Sequence, residues 1–181
     1  MTPPDIHLDG RFLAAPEALY GHLLSTVQWD ERMKARKTAS FGVAYNYSQM
    51  SYPELPMPAA LAQVGDAIHA ALGFAPNNCL LNYYPDGEAS MGFHSDLATE
   101  LTLDTGVAIV SLGGERSIVY RHKRDKSVQF GYPLLAGSLL FMSNAVQEEW
   151  LHAIPRQAGA APRISLTFRH IAGGKTHDDG R

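Results

Sequence analysis

The chain has 181 residues, of which 45% are hydrophobic and 18% charged, and its formal net charge is −3. That length supports one domain with a real core and excludes two comfortable ones, while the composition excludes a disordered polymer. The mild acidity excludes a uniformly basic nucleic-acid-binding protein, so any phosphate contact has to come from local patches.

In chain order, residues 1–15 read as an extended start with some apolar content. Pro16 to about Val27 reads as a helix: Pro fits the first helical position, Glu17 sits at the positive end, and Leu19, Leu23 and Leu24 form an apolar stripe. Arg32, Lys34, Arg36 and Lys37 make a first basic patch, a pattern that is often only a solvated face. Behind it, Phe41, Tyr45, Tyr47 and Tyr52 alternate with small polar residues, as in a β-hairpin packed by its own tyrosines. A second helix runs from about Pro58 to Leu72, with Leu61, Val64, Ile68, Ala71 and Leu72 on one face and Gly73 as its stop.

From Asn77 the signals are β. The expected strands are Cys79–Tyr84, Phe93–Asp96, Gly106–Leu112, Ser117–Tyr120, Val128–Phe130, Ser138–Met142 and Arg163–Ile171, with turn residues between them. Helices first and many short strands after predict an α+β fold, a jelly-roll (double-stranded β-helix) whose N-terminal helices buttress one sheet. One domain is expected over residues 1–172, with 173–181 a mobile tail. Cys79 is the only cysteine, which excludes an intrachain disulfide and fits a reducing, cytoplasmic setting; on its apolar strand it reads as a buried structural thiol. No basic-then-apolar start reads as a secretion signal, and no run approaches the roughly 20 apolar residues of a membrane span. A monomer is expected.

Three groups of residues bear chemistry. Asn82 and Tyr84 share one face of their strand, Leu81 and Tyr83 the other; an amide and a phenol there either meet a small diacid or merely precede the Pro85-Asp86-Gly87 turn. His94 and Asp96 stand two apart, so on a strand they would project side by side, and His152 follows far downstream. Two histidines and one carboxylate are the set that holds non-haem Fe(II) on one face and leaves other positions open. Finally, Arg163, Ser165, Thr167 and Arg169 alternate with Ile164, Leu166, Phe168 and His170. The polar face is either solvated, as in an ordinary half-buried strand, or lines a barrel interior where planar guanidinium forks grip an anion. A second basic patch comprises Arg121, His122, Lys123, Arg124 and Lys126. Trp150, Ser143 and Asn144 are read as packing and turn residues that could also support the iron site, and the remaining histidines show no ligand spacing.

Asn-x-Tyr, His-x-Asp, a distant His, and Arg followed six residues later by Arg resemble, in that order, the AlkB family of iron- and 2-oxoglutarate-dependent dioxygenases, over roughly residues 30–171. The resemblance implies that His94, Asp96 and His152 bind Fe(II), and that Asn82, Tyr84, Arg163, Thr167 and Arg169 hold 2-oxoglutarate, with Arg163 on the distal carboxylate and Arg169 nearer the iron. It implies a nucleotide-recognition lid over about residues 32–56, where Tyr47 stacks on an extruded base, Tyr45 donates it a hydrogen bond, and Arg36 and Lys37 contact phosphates. The activity implied is oxidative demethylation of N-alkylated bases in DNA, or in RNA, coupled to O2 use, 2-oxoglutarate decarboxylation and formaldehyde release. One departure bears on the lesion: many DNA-repairing relatives carry an acid shortly after His-x-Asp, where this chain has Ala98, with Glu100 the nearest substitute. Two other readings stay open: a hydroxylase of the same cofactor class acting on a protein or small molecule, and a non-catalytic nucleic-acid-binding module with a structural metal. The last would normally want four protein ligands.

Overall fold

The computed structural model describes residues 1–47, 50–96 and 101–173, the side chain of Tyr47 excepted. The polar tail beyond 173 and the positions Ala98 and Glu100 lie outside the described residues.

Twelve strands and three helices follow one another among the described residues: β1 (Ile6–Asp9), α1 (Pro16–Thr26), β2 (Lys37–Gly42), β3 (Tyr45–Tyr47), β4 (Met50–Tyr52), α2 (Ala59–Leu72), β5 (Asn78–Tyr84), β6 (Met91–His94), β7 (Gly106–Gly113), β8 (Arg116–His122), β9 (Gln129–Leu134), β10 (Leu139–Ser143), α3 (Asn144–Glu149), β11 (Trp150–Ile154) and β12 (Arg163–Arg169). Ten of the strands form two antiparallel sheets, a major one in the order β1-β10-β7-β12-β5-β2 and a minor one in the order β6-β11-β8-β9, while β3 and β4 pair as a separate hairpin. Two such sheets carrying a shared interior make the jelly-roll that the strand pattern predicts.

The two longer helices, α1 and α2, each have one end that the sequence marks. Pro occupies the first turn of α1, and α2 ends at Gly73, whose φ of 81° is the left-handed conformation that glycine adopts without strain. Their apolar faces cover the outside of the major sheet. Leu23, Leu61, Val64 and Ile68 pack with Leu81, Val110, Leu112, Ile164, Leu166 and Phe168 in one cluster. The inner face of the same sheet contributes Leu80, Tyr84, Val107 and Ile109 to a second cluster, shared with Ile118, Tyr120, Leu134 and Ile154 of the minor sheet. The major sheet is thus buried on both sides.

That double burial removes the solvated-face reading of β12. All seven of its residues are buried, so a strand alternating polar and apolar side chains has turned its polar face into the molecule.

Three expectations about elements are corrected. The strand read as Phe93–Asp96 is Met91–His94, which leaves Asp96 beyond its end. Trp150–Ile154, not among the expected strands, pairs on both edges as β11. The order "helices, then strands" also fails in part, because β1 and β2 come early and supply the two edges of the major sheet. β2 ends at Gly42, whose φ is 85° and where a Cβ would lie 2.1 Å from the Asn77 carbonyl oxygen, so only glycine fits that crossing.

Candidate active site

The two histidines meet because β6 and β11 pair antiparallel with His94 opposite His152, bringing their ring centroids to 4.3 Å. Asp96 reaches them differently. It has left the strand, and it is pinned from two other elements: the Gln147 side chain of α3 accepts a hydrogen bond from its backbone N–H at 3.0 Å, and Arg169 of β12 holds its carboxylate. Arg169 donates from Nε at 3.1 Å and pairs through Nη2 at 3.0 Å, both to Oδ2, with both side chains almost fully buried. The minor sheet therefore supplies both imidazoles, and the major sheet fixes the carboxylate between them.

One ligand atom from each of His94, Asp96 and His152 lies within 4.8 Å of the others, and no other such group occurs among the described residues. The protonation states suit a cation. His94 Nδ1 faces the Gly92 carbonyl oxygen at 2.8 Å and so donates to it, which leaves the Nε2 lone pair for a metal. Burial pushes His152 down to about 3, helped by the neighbouring His94, and burial also lowers His94, partly offset by Asp96. Burial would raise Asp96, yet Arg169 first and the two histidines next hold it below the usual carboxylate range. Two neutral imidazoles and an ionised carboxylate, with no fourth protein ligand among the described residues, fit Fe(II) and leave coordination positions open.

The triad opens onto a narrow cavity between the sheets. Its wall carries all five residues expected to hold 2-oxoglutarate: Asn82, Tyr84, Arg163, Thr167 and Arg169, joined by His94, His152 and Ser165. Cross-strand register explains the convergence, since Asn82 stands opposite Ser165 and Tyr84 opposite Arg163 on neighbouring strands β5 and β12. Arg163 is fully buried and donates once, from Nη2 to the Ser111 hydroxyl at 2.9 Å. Its Nε and Nη1, the Asn82 Nδ2 and the Tyr84 hydroxyl have no hydrogen-bond partner among the described residues. A buried unsatisfied donor costs roughly 1–3 kcal/mol, so a cavity edged by several of them fits an anionic ligand with many acceptor atoms, as a keto-diacid is.

The substrate-side expectations fare differently. Arg36, expected on phosphates, is buried; it donates from Nε to Asn82 Oδ1 at 2.8 Å and from Nη1 to the Ser90 carbonyl at 3.0 Å. The Nε contact fixes the Asn82 amide so that its NH2 is the end left for the cavity. Lys37 is half-buried and paired with Glu31 at 2.7 Å, and Arg32 is engaged by Asp30, so the first basic patch is largely neutralised and Lys34 is its exposed remainder. Tyr45 is buried with its ring 4.9 Å from the Arg169 guanidinium carbon, packing on the cation that holds Asp96. Its ring thus packs behind the metal-side guanidinium, with little of it exposed. Tyr47 is on β3, and its side chain lies outside the described residues. In the second basic patch Arg121 stacks over Phe93 at 3.8 Å and Lys123 donates to the Gln147 carbonyl at 2.6 Å, while Arg124 and Lys126 are exposed at the β8–β9 turn. Trp150 packs against His122 and Phe130. Sequence reasoning missed Gln147 and the Asn82 role of Arg36, because neither carries a motif or a periodicity of its own.

Comparison with known proteins agrees with the geometry. Residues 14–169 match the family model of the 2OG-Fe(II) oxygenase superfamily. The human DNA oxidative demethylase ALKBH2 is 36% identical over 147 residues, covering 75% of this chain and 56% of that protein. The Bos taurus protein of the same name is 34% identical over 147 residues, covering 75% of this chain and 53% of that protein. The mouse alpha-ketoglutarate-dependent dioxygenase alkB homolog 3 is 29% identical over 170 residues, covering 82% and 59%. The chain thus spans little more than half the length of these relatives. The solved structure of OsALKBH1 superposes with a TM-score of 0.69 at 16% identity, covering 94% of this chain and all of that one, which is a likeness of fold.

Proposed function

The chain belongs to the 2OG-Fe(II) oxygenase superfamily, and on that premise we propose that it is an AlkB-type dioxygenase that removes N-alkyl groups from nucleic-acid bases. The observation that carries this is the pairing of a three-ligand metal centre with a cavity edged by buried, unpartnered donors. His94, Asp96 and His152 would hold Fe(II). When bound, ferrous iron with 2-oxoglutarate and O2 supplies hydroxylation of an N-methyl carbon, with succinate, CO2 and formaldehyde as products.

The chain's own work is placement. Arg163, with Tyr84 beside it, is suited to the distal carboxylate, because a guanidinium in a dry site binds a carboxylate bidentately and keeps its charge. Asn82 and Thr167 edge the same cavity and orient the keto-acid. Arg169 is committed to Asp96 and so fixes the metal ligand as well as facing the metal-side end of the co-substrate. The apolar remainder of the wall, Leu80, Val107, Ile109, Ile118 and Ile154, excludes water that would screen these contacts.

Nucleic acid as the substrate is supported by the relatives named DNA oxidative demethylases. Tyr47, the last residue of β3, is proposed to stack on an extruded base, and Arg124 and Lys126, with Lys34, to meet the backbone. The working form proposed is a monomeric single domain in the reducing cytoplasm, consistent with the buried free thiol of Cys79. Among the described residues no helix is long and apolar enough to cross a membrane.

The test is Fe(II) loading under anaerobic conditions, then aerobic incubation with 2-oxoglutarate and N-methylated DNA and RNA oligomers, followed by mass spectrometry of the bases. Loss of the methyl group with stoichiometric succinate is expected, and both should vanish in His94→Ala and Asp96→Ala. Succinate formation stimulated by neither oligomer would move the substrate to a protein or small molecule.

A further inference from the structure

Arg163 is not the only buried guanidinium at Tyr84. Arg116, the first residue of β8 on the opposite sheet, is fully buried as well. Its Nη2 donates to the carbonyl oxygens of Ala89 at 2.8 Å and Pro155 at 2.6 Å, with a longer contact from Nη1 to the Asp86 carbonyl at 3.4 Å. These partners are dipoles and not charges. Neither Arg116 nor Arg163 forms an ion pair among the described residues.

Both guanidinium carbons lie over the ring of Tyr84, 5.3 Å and 5.2 Å from its centroid, so they are within about 11 Å of each other. Burial lowers the pKa of each, and the charge of Arg116 pushes Arg163 further the same way. Two desolvated cations held this close repel each other, and the cost is offset when an anion joins them. Arg116 is absent from the cavity wall, which Tyr84 and Arg163 form at this end. Its contacts are the ring of Tyr84, the Asp86–Ala89 turn that follows it, and the Pro155 carbonyl just beyond β11.

We propose that Arg116 is a positioning residue that determines co-substrate specificity: without touching the keto-acid, it adds a second fixed charge at the Arg163 end of the cavity and braces Tyr84 there, so that this end selects a dicarboxylate. The inference rests on the co-substrate reading given above. A single guanidinium would bind a distal carboxylate; two, hydrogen-bonded to carbonyl and hydroxyl dipoles and with the Asp86 carboxylate acting on Arg116 only through space, set the local potential so that a neutral distal group is rejected.

The experiment is calorimetric titration of the Mn(II)-loaded full chain with 2-oxoglutarate and with 2-oxopentanoate, which has the same carbon count and lacks the distal carboxylate. In Arg116→Met the dissociation constant for 2-oxoglutarate should rise about tenfold, the order of one unit charge acting across roughly 10 Å at an effective dielectric constant near 20. That for 2-oxopentanoate should change less than twofold, so the preference collapses. Arg116→Lys keeps the charge and should keep the preference, and it decides the matter if the methionine variant fails to fold by circular dichroism. Equal losses for both acids in Arg116→Met, or a folded Arg116→Lys without preference, would overturn the proposal. A wild-type chain that binds neither acid would remove the co-substrate reading and this inference with it. A variant that discriminates as well as wild type removes this inference alone.

Discussion

Replacing Arg169 with alanine tests the element that joins the two sheets at the metal centre. Arg169 and Asp96 have side chains only 4% and 2% exposed, and Oδ2 of Asp96 takes contacts from both Nε and Nη2. Removing one partner of such a pair strands the other as an uncompensated buried charge, at a cost of about 3–5 kcal/mol. Against a total stability on the order of 5–15 kcal/mol, that is roughly a fifth or more of the whole. In urea unfolding of the metal-free chain the midpoint should fall by about 1–2 M, taking a slope near 2–3 kcal/mol per molar. The Asp96→Asn change removes the charge that Arg169 answers, so the double variant Asp96→Asn/Arg169→Ala should lose clearly less than the two single losses together, with a coupling of about 2 kcal/mol. Mn(II) gives Asp96 another counter-ion, and the gap between wild type and Arg169→Ala should narrow when the metal is present. A cost under about 1 kcal/mol, or single losses that add within about 0.5 kcal/mol, would refute the coupling of the two sheets through this pair.

Arg163→Ala should raise the dissociation constant for 2-oxoglutarate by at least about a hundredfold, a loss of the size expected for a buried charge-assisted contact, and Arg163→Lys should recover it only in part; an unchanged affinity in titration calorimetry would contradict its place in the cavity. Arg36→Ala should weaken 2-oxoglutarate binding several-fold, because the Asn82 amide loses the contact that orients it, while leaving the salt dependence of oligonucleotide binding as it was. A shallower salt slope in that variant would return Arg36 to the phosphates. Tyr47→Ala should impair oligonucleotide repair more than succinate formation without nucleic acid, by roughly the 1–3 kcal/mol of a lost base stack; equal losses in the two assays would count against stacking.

Much of the site was legible before any coordinates, because its parts are periodic or motif-like. The alternation of Arg163 through Arg169 sorts polar from apolar side chains, and the same period puts Asn82 with Tyr84 and Leu81 with Tyr83; strand geometry then leaves each set one face. The helices were equally plain, since proline and glycine mark their ends for steric reasons. What could not be read was which side of β12 met solvent. The answer, neither, depends on Leu23, Leu61 and Ile68 covering one face and the minor sheet covering the other. Asp96 shows the limit from the opposite direction. Its residue type was identified, yet the argument that placed it, two side chains projecting from one strand, fails because the strand ends at His94 and Gln147 and Arg169 position the carboxylate instead.

The basic residues mark the same boundary. Arg36, Arg116 and Arg163 are alike as letters in the chain, and each is buried in the folded molecule for a different purpose: one holds an amide, one sits among three carbonyls, one faces an enclosed cavity. Local patterning determined the elements, their faces and the donor types for a metal and a keto-diacid, because backbone geometry repeats over two or four residues and needs no distant partner. Only tertiary structure decided which charges lost their water and which found a partner. That depends on distant segments closing over one another: the Arg36–Asn82 and Asp96–Arg169 contacts span 46 and 73 positions, and no local period reports a contact at that range.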